Sequence, residues 1–166
     1  MKTITYPIIL ATRFPAGHCC EGAPTLFESR LHLALGCKLH PEQHDDCTHY
    51  CMRKLHTIRS NYEVWEKRFE KIKNGQAVLS VRVWEGKPYH SKQREIVRLS
   101  HKDGIGLQKL AIVKVPSNFA FVNDTPVIYR YLAQNDGLSL MVWYNWFSSY
   151  VVTEPMAVIH FTPFRY

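Results

Sequence analysis

Six consecutive residues, Lys54-Leu55-His56-Thr57-Ile58-Arg59, set a primary amine, a hydroxyl and a guanidinium along one short strand signal. Strands of this length are mainly apolar on the side that faces a core. The lysine and the threonine are therefore expected to line a hollow and face a guest. Residues three apart on a regular strand point to opposite faces, so Lys54 must lie ahead of the strand or reach round its end. The structural alternative is a satisfied strand threonine beside a solvated loop lysine.

A second constellation is cationic. With Tyr89 to Leu99 read as a strand, His90, Lys92, Arg94 and Arg98 share one alternate face, interrupted only by Ile96. Arg59 and Arg82 could join them, and Arg82 alternates with Val78, Ser80 and Trp84. Cations for phosphate and an aromatic for stacking are how single-stranded nucleic acid is held with little sequence preference. The alternative is a solvated face, or cross-strand ion pairs to Glu85 and Glu95.

A third constellation could hold metal. Cys37, His40, His44, Cys47 and Cys51 are spaced C-x2-H-x3-H-x2-C-x3-C, with His49 among them and His18, Cys19, Cys20 and His56 near in sequence. Zinc takes thiolates and imidazoles in tetrahedral sets, and a structural zinc would order a loop that has no apolar pattern. The alternative is an exposed insertion with reduced thiols.

The elements that must position these groups follow from periodicity and punctuation. Thr3 to Leu10 reads as a strand. Thr25 is placed to cap a helix from Leu26 to about Leu35, with Glu28 as capping-box partner and Gly36 as stop. Residues from about 37 to 53 are polar, aperiodic and read as an insertion. Ser60 with Glu63 forms a capping-box signature ahead of Tyr62, Trp65, Phe69 and Ile72 at helical spacing, and Lys71, Lys73 and Gly75 mark the helix end. Gln76 to Trp84 reads as a strand, and Glu85-Gly86-Lys87-Pro88 turns the chain back into an antiparallel neighbour. Ile105 to Val115 is a further strand. Thr125 and Pro126 predict a helix from there to Asp136, Ser139 caps another to about Ser148, and Met156 to Thr162 closes as a strand. Trp65, Trp143, Trp146 and Phe147 are expected to anchor the core.

The order K-x-x-T-I-R, helix, glycine, then an L-x-V-x-V strand resembles the ASCH domains of the PUA-like superfamily over about half of the chain. The resemblance implies an α+β fold built on a small, partly closed antiparallel β-barrel with flanking helices. Some ASCH proteins are small amidohydrolases that remove the acetyl group of N4-acetylcytidine, using the lysine and threonine of this motif and a later glutamate. Lys54 and Thr57 match the first two, and Asp136 of Asp136-Gly137-Leu138-Ser139-Leu140 takes the third place, one methylene shorter. The implied chemistry is coherent: a desolvated lysine as base, a hydroxyl as nucleophile, a carboxylate to orient them. Lys87 to Gln93 (KPYHSKQ) and the terminal His160 to Tyr166 (HFTPFRY) also resemble a group of proteins of gut bacteria and their phages, a likeness that implies no activity.

Composition sets the remaining expectations. The chain has 166 residues, 46% of them hydrophobic, which suits one domain over residues 1–166. Its 21 Lys+Arg against 14 Asp+Glu give +7 and favour polyanionic partners. No signal-peptide pattern or membrane span is legible, so a cytoplasmic location without membrane contact is expected. Five cysteines, four of them between Cys20 and Cys51, argue against a disulfide framework. No phosphate loop or nucleophile elbow is present. Three functions stay open: an RNA- or modified-nucleoside-binding domain with a basic cleft, an amidohydrolase acting on an acylated nucleobase, and an interaction protein held by structural zinc.

Overall fold

The computed structural model describes residues 3–36, 52–112, 118–147 and 154–166. Strand β1 (Ile4–Ile9) is followed by helix α1 (Phe27–Ala34), β2 (His56–Arg59), α2 (Tyr62–Lys73), β3 (Ala77–Trp84) and β4 (Gln93–Leu99). Then come β5 (Gly106–Ile112), β6 (Phe119–Val122), β7 (Thr125–Ile128), α3 (Tyr129–Asn135), α4 (Leu140–Phe147) and β8 (Met156–His160). The fold is α+β, with one sheet ordered β1-β3-β4 and another β2-β8-β5-β6-β7. Both are antiparallel except at β1 and β3, which run parallel from Ile4 opposite Ala77 to Ile9 opposite Arg82. Neither sheet is closed into a barrel among the described residues.

Both sheets feed one core. Leu79 and Val81 of β3, Leu110 of β5 and Ile159 of β8 are all fully buried, each contributing about 1.5–3 kcal/mol by leaving water. Every residue of β8 is buried, as befits a strand flanked by β2 and β5. Helix α2 lays Trp65 and Ile72 against the core, and the Arg68 guanidinium covers the outer side of Trp65 at 4.6 Å.

Several expected boundaries move, each for a local reason. Asn61, not Ser60, caps α2: it adopts φ 63°, a region asparagine tolerates, and its side chain accepts the Val64 N–H. Thr25 accepts the Phe27 N–H at 3.3 Å, but Glu28 turns outward to Arg94 and makes no capping box. Residues 125–128 are strand, not helix. Asn123 and Asp124 both take positive φ, 46° and 66°, which is the two-residue hairpin turn joining β6 to β7. Pro126, which suggested a helix start, sits on the edge strand β7, where its missing N–H costs no ladder bond. Strand β4 starts at Gln93, because Tyr89 at φ 65° and the Ser91 hydroxyl bonded to Lys87 O fold residues 86–91 into a turn.

Candidate functional site

Lys54 lies ahead of β2 in an isolated antiparallel bridge with Asp136. Its N–H donates to Arg30 O at 3.0 Å and the next N–H, of Leu55, donates to Asn135 O at 2.7 Å. Because the regular strand begins only at His56, the alternation rule does not separate Lys54 from Thr57, and both line one cavity. Asp136 is the C-cap of α3, and Gly137 beside it takes φ +79°, turning the chain toward α4.

The side chains converge. Lys54 Nζ donates to Asp136 Oδ1 at 2.5 Å and to Asp136 O at 2.9 Å, and stands 3.8 Å above the centre of the Phe27 ring. The lysine is 1% exposed, the aspartate 4% and Thr57 4%. The shorter acid suffices because backbone pairing places its Cα opposite that of Lys54. Arg30 of α1 donates to Thr25 O at 3.0 Å and also to Gly137 O, tying α1 to the turn that carries the acid.

Burial pushes the Lys54 ammonium below its usual range, opposed by the charge and hydrogen bond of Asp136. The same burial pushes the Asp136 carboxyl up, opposed by Lys54. The Trp143 indole N–H approaches Asp136 closely enough to favour its ionised form, yet completes no hydrogen bond by geometry, so its contribution is weaker than a bond's. Burial disfavours the charge on each group, while each group favours the charge of its partner. Such a pair can act as a base toward a third group.

The cavity is about 140 Å³. Lys54, Thr57, Arg59, Ser60 and Asp136 form its polar side, and Phe27, Trp146 and Phe147 are among its apolar walls. Arg59 ends β2 and donates to Ile9 O at 2.6 Å, so its guanidinium is held at the site and is not spread on the outer surface. Sequence reasoning missed Phe27 and Arg30, whose helix showed only its caps, and assigned Trp146 and Phe147 to the core alone.

The expected basic stripe does not form as one face. His90 and Lys92 precede β4, and a bulge shifts the β3–β4 register after Val81, which breaks the alternation from Arg94 to Arg98. Arg94 makes a bidentate pair with Glu28 at 2.9 Å, Arg98 pairs with Glu95 at 3.1 Å, and Arg82 lies 4.0 Å from that same carboxylate. Much of the positive charge is therefore met within the protein.

Cys37, His40, His44, Cys47, His49 and Cys51 lie outside the described residues. His56, near them in sequence, is fully buried, with Nε2 2.7 Å from the Tyr166 hydroxyl. Among the described residues one group could hold a metal: His18, Cys19 and Cys20, whose ligand atoms all lie within 4.8 Å of one another. No described helix is long and apolar enough to cross a membrane. Comparison with protein-family models, with curated proteins and with solved structures finds no match to this chain.

Proposed function

We propose that the chain is an amidohydrolase that removes a short acyl group from the exocyclic nitrogen of a nucleobase, N4-acetylcytidine being the type substrate. The observation that carries this reading is the convergence of Lys54, Thr57 and Asp136 on one small cavity with aromatic walls. A volume of about 140 Å³ is below the roughly 300–1,000 Å³ of sites for drug-sized ligands. It suits one planar ring with a short acyl arm, not a length of strand. Phe27, Trp146 and Phe147 offer stacking surface, and the polar side offers base, hydroxyl and cation.

In this reading Lys54 passes a proton to Asp136 and, as a neutral amine, takes the proton of the Thr57 hydroxyl as Oγ1 attacks the acyl carbonyl. Negative charge gathers on the carbonyl oxygen near the Arg59 guanidinium. The C–N bond then breaks, the departing exocyclic nitrogen receives the proton from Lys54, and an acyl ester remains on Thr57. Water attacks that ester and gives its proton to Lys54, which passes it to the departing Thr57 Oγ1 as the carboxylic acid leaves, and Asp136 returns its proton to Lys54. The two sheets around their shared core would be the walls of a PUA-like barrel left open.

A second reading is recognition without chemistry, by a domain that binds a modified nucleoside or an RNA carrying one. It is favoured by the engagement of the Lys54 ammonium, which already meets a carboxylate, a carbonyl and an aromatic face. One assay separates the two. Wild type and Lys54→Ala are incubated with N4-acetylcytidine, and cytidine and acetate are quantified. The hydrolase reading expects equimolar products from wild type and none from the variant. Binding without turnover moves the assignment to recognition, and neither binding nor turnover ends both.

A further inference from the structure

We propose that His18, Cys19 and Cys20 form a binding site for a thiophilic d10 metal ion, zinc being the ion their spacing fits. The two thiols are free, with sulfurs 3.9 Å apart, and Cys19 Sγ lies 3.8 Å from His18 Nδ1. With Zn–S near 2.3 Å and Zn–N near 2.0–2.1 Å, a tetrahedron has edges of about 3.8 Å between sulfurs and about 3.6 Å between sulfur and nitrogen. Two of the three separations are those edges to within a few tenths of an ångström, and the third, between His18 Nδ1 and Cys20 Sγ, lies within 4.8 Å. They are far too long for a disulfide, whose sulfurs stand about 2.05 Å apart.

The imidazole is oriented as a ligand should be. His18 Nε2 lies 3.0 Å from Val142 O of α4, a carbonyl that can only accept, so the ring proton sits on Nε2 and the Nδ1 lone pair faces the thiols. That lone pair accepts the Cys20 N–H at 2.9 Å, a bond that loading would exchange for a metal–nitrogen bond. The ring is fixed on its other sides by stacking on Phe14 at 4.6 Å and by the edge contact with Trp146 at 5.5 Å. Asn145 Oδ1 accepts the Cys19 N–H at 2.9 Å and anchors the turn to α4. Three protein ligands leave a fourth position for water, on the side where Cys19 is exposed and lines a groove with Met141 and Tyr144. Because His18 contacts Trp146, and Trp146 walls the Lys54 cavity, metal here would stiffen that wall. The site itself does not depend on the hydrolase reading.

The test uses the full chain, purified without a histidine tag, reduced and stripped of metal. Cys37→Ser, Cys47→Ser and Cys51→Ser are made together, so that only Cys19 and Cys20 can supply thiolate. Zinc is titrated against a chromophoric chelator, and cobalt(II) is added separately to read thiolate-to-metal charge-transfer absorption. One zinc per chain and a cobalt band of two-thiolate intensity are expected. Adding Cys19→Ser and Cys20→Ser should abolish the band and weaken zinc by more than the roughly 10–100-fold that loss of an outer-shell partner costs. Cys19 is exposed and Cys20 half-buried, and serine keeps the shape, so circular dichroism should be unchanged. No zinc bound by the triple variant, or unchanged affinity after removing Cys19 and Cys20, overturns the assignment.

Discussion

Lys54 and Asp136 are paired twice, once by backbone in an antiparallel bridge and once by side chain across 2.5 Å. The first contact fixes where both Cα atoms stand. The second then needs no long side chain to find its partner. Two charges taken out of water cost several kcal/mol each unless they meet, and here they meet with the Asp136 carbonyl and the Phe27 ring as further partners.

That geometry makes the pair costly to break and cheap to replace. Lys54→Met should destabilise the fold by about 3–5 kcal/mol, because it leaves a buried carboxylate without its cation. Lys54→Met with Asp136→Leu should recover most of that loss and, in the hydrolase reading, show no turnover. Urea unfolding of the two variants checks this. A single variant within about 1 kcal/mol of wild type would mean that water reaches the carboxylate.

Two histidines predict an acid limit. Burial holds His160 down to about 3, and drives His56 well below its ordinary 6.5 with the neighbouring His160 adding to it. A depressed histidine gives stability that is complete above the unfolded value of 6.5 and is lost as pH falls toward the folded one. The slope is at most about 1.4 kcal/mol per pH unit for each histidine. Glu95 and Asp103 are also depressed, but from 4.5 and 3.8, so their losses begin at lower pH. Urea stability of wild type minus that of His160→Leu, measured from pH 7 to 4.5, isolates the one group. The difference should shrink as pH falls, and a flat difference would show His160 protonating freely in the folded state.

What the sequence revealed and what it hid divide along physical lines. Helix α2 was legible because Trp65, Phe69 and Ile72 recur at its period and Gly75 ends it, and β3 because Leu79, Val81 and Val83 alternate along the chain. The β6–β7 hairpin was hidden because Thr125-Pro126 fits a helix start equally well, and only the positive φ of Asn123 and Asp124 decides. Parallel pairing of β1 with β3 spans some seventy residues of chain and leaves no local trace. Lys54 and Thr57 were legible as polar residues in an apolar setting. Phe27 and Arg30 were not, since their part in the cavity depends on where α1 docks.

Gly137 is the hinge of the pair. At φ +79° a side chain costs roughly 1–2 kcal/mol. A Cβ there would also stand 3.2 Å from Arg30 Cδ and 3.4 Å from Lys54 Cβ. Gly137→Ala should therefore lower stability by about that amount and, in the proposed reaction, reduce turnover more than it weakens binding, because it crowds Arg30, which ties α1 to the turn carrying Asp136. Loss of stability with wild-type kcat would place the strain entirely in the turn.

Tyr166 ties β2 to the end of α3 behind the site. Tyr166 Oη lies 2.7 Å from His56 Nε2, next to Thr57, and accepts from Asn135 Nδ2 at 3.1 Å, next to Asp136. Its backbone N–H donates to Gln108 Oε1 of β5 at 3.0 Å, and its hydroxyl proton is held more tightly than usual by burial. Tyr166→Phe keeps the ring packed and removes only the hydroxyl. It leaves His56 with no partner at either nitrogen, since Nδ1 already has none, and the cost should be about 1–3 kcal/mol. The backbone bridge and the ion pair of Lys54 with Asp136 then lose their brace from behind, and in the proposed reaction kcat should fall while the cavity, which Tyr166 does not line, still binds. Equal stability of Tyr166→Phe and wild type in urea would show that the hydroxyl bonds are replaced by water and that the C-terminus does not brace the site.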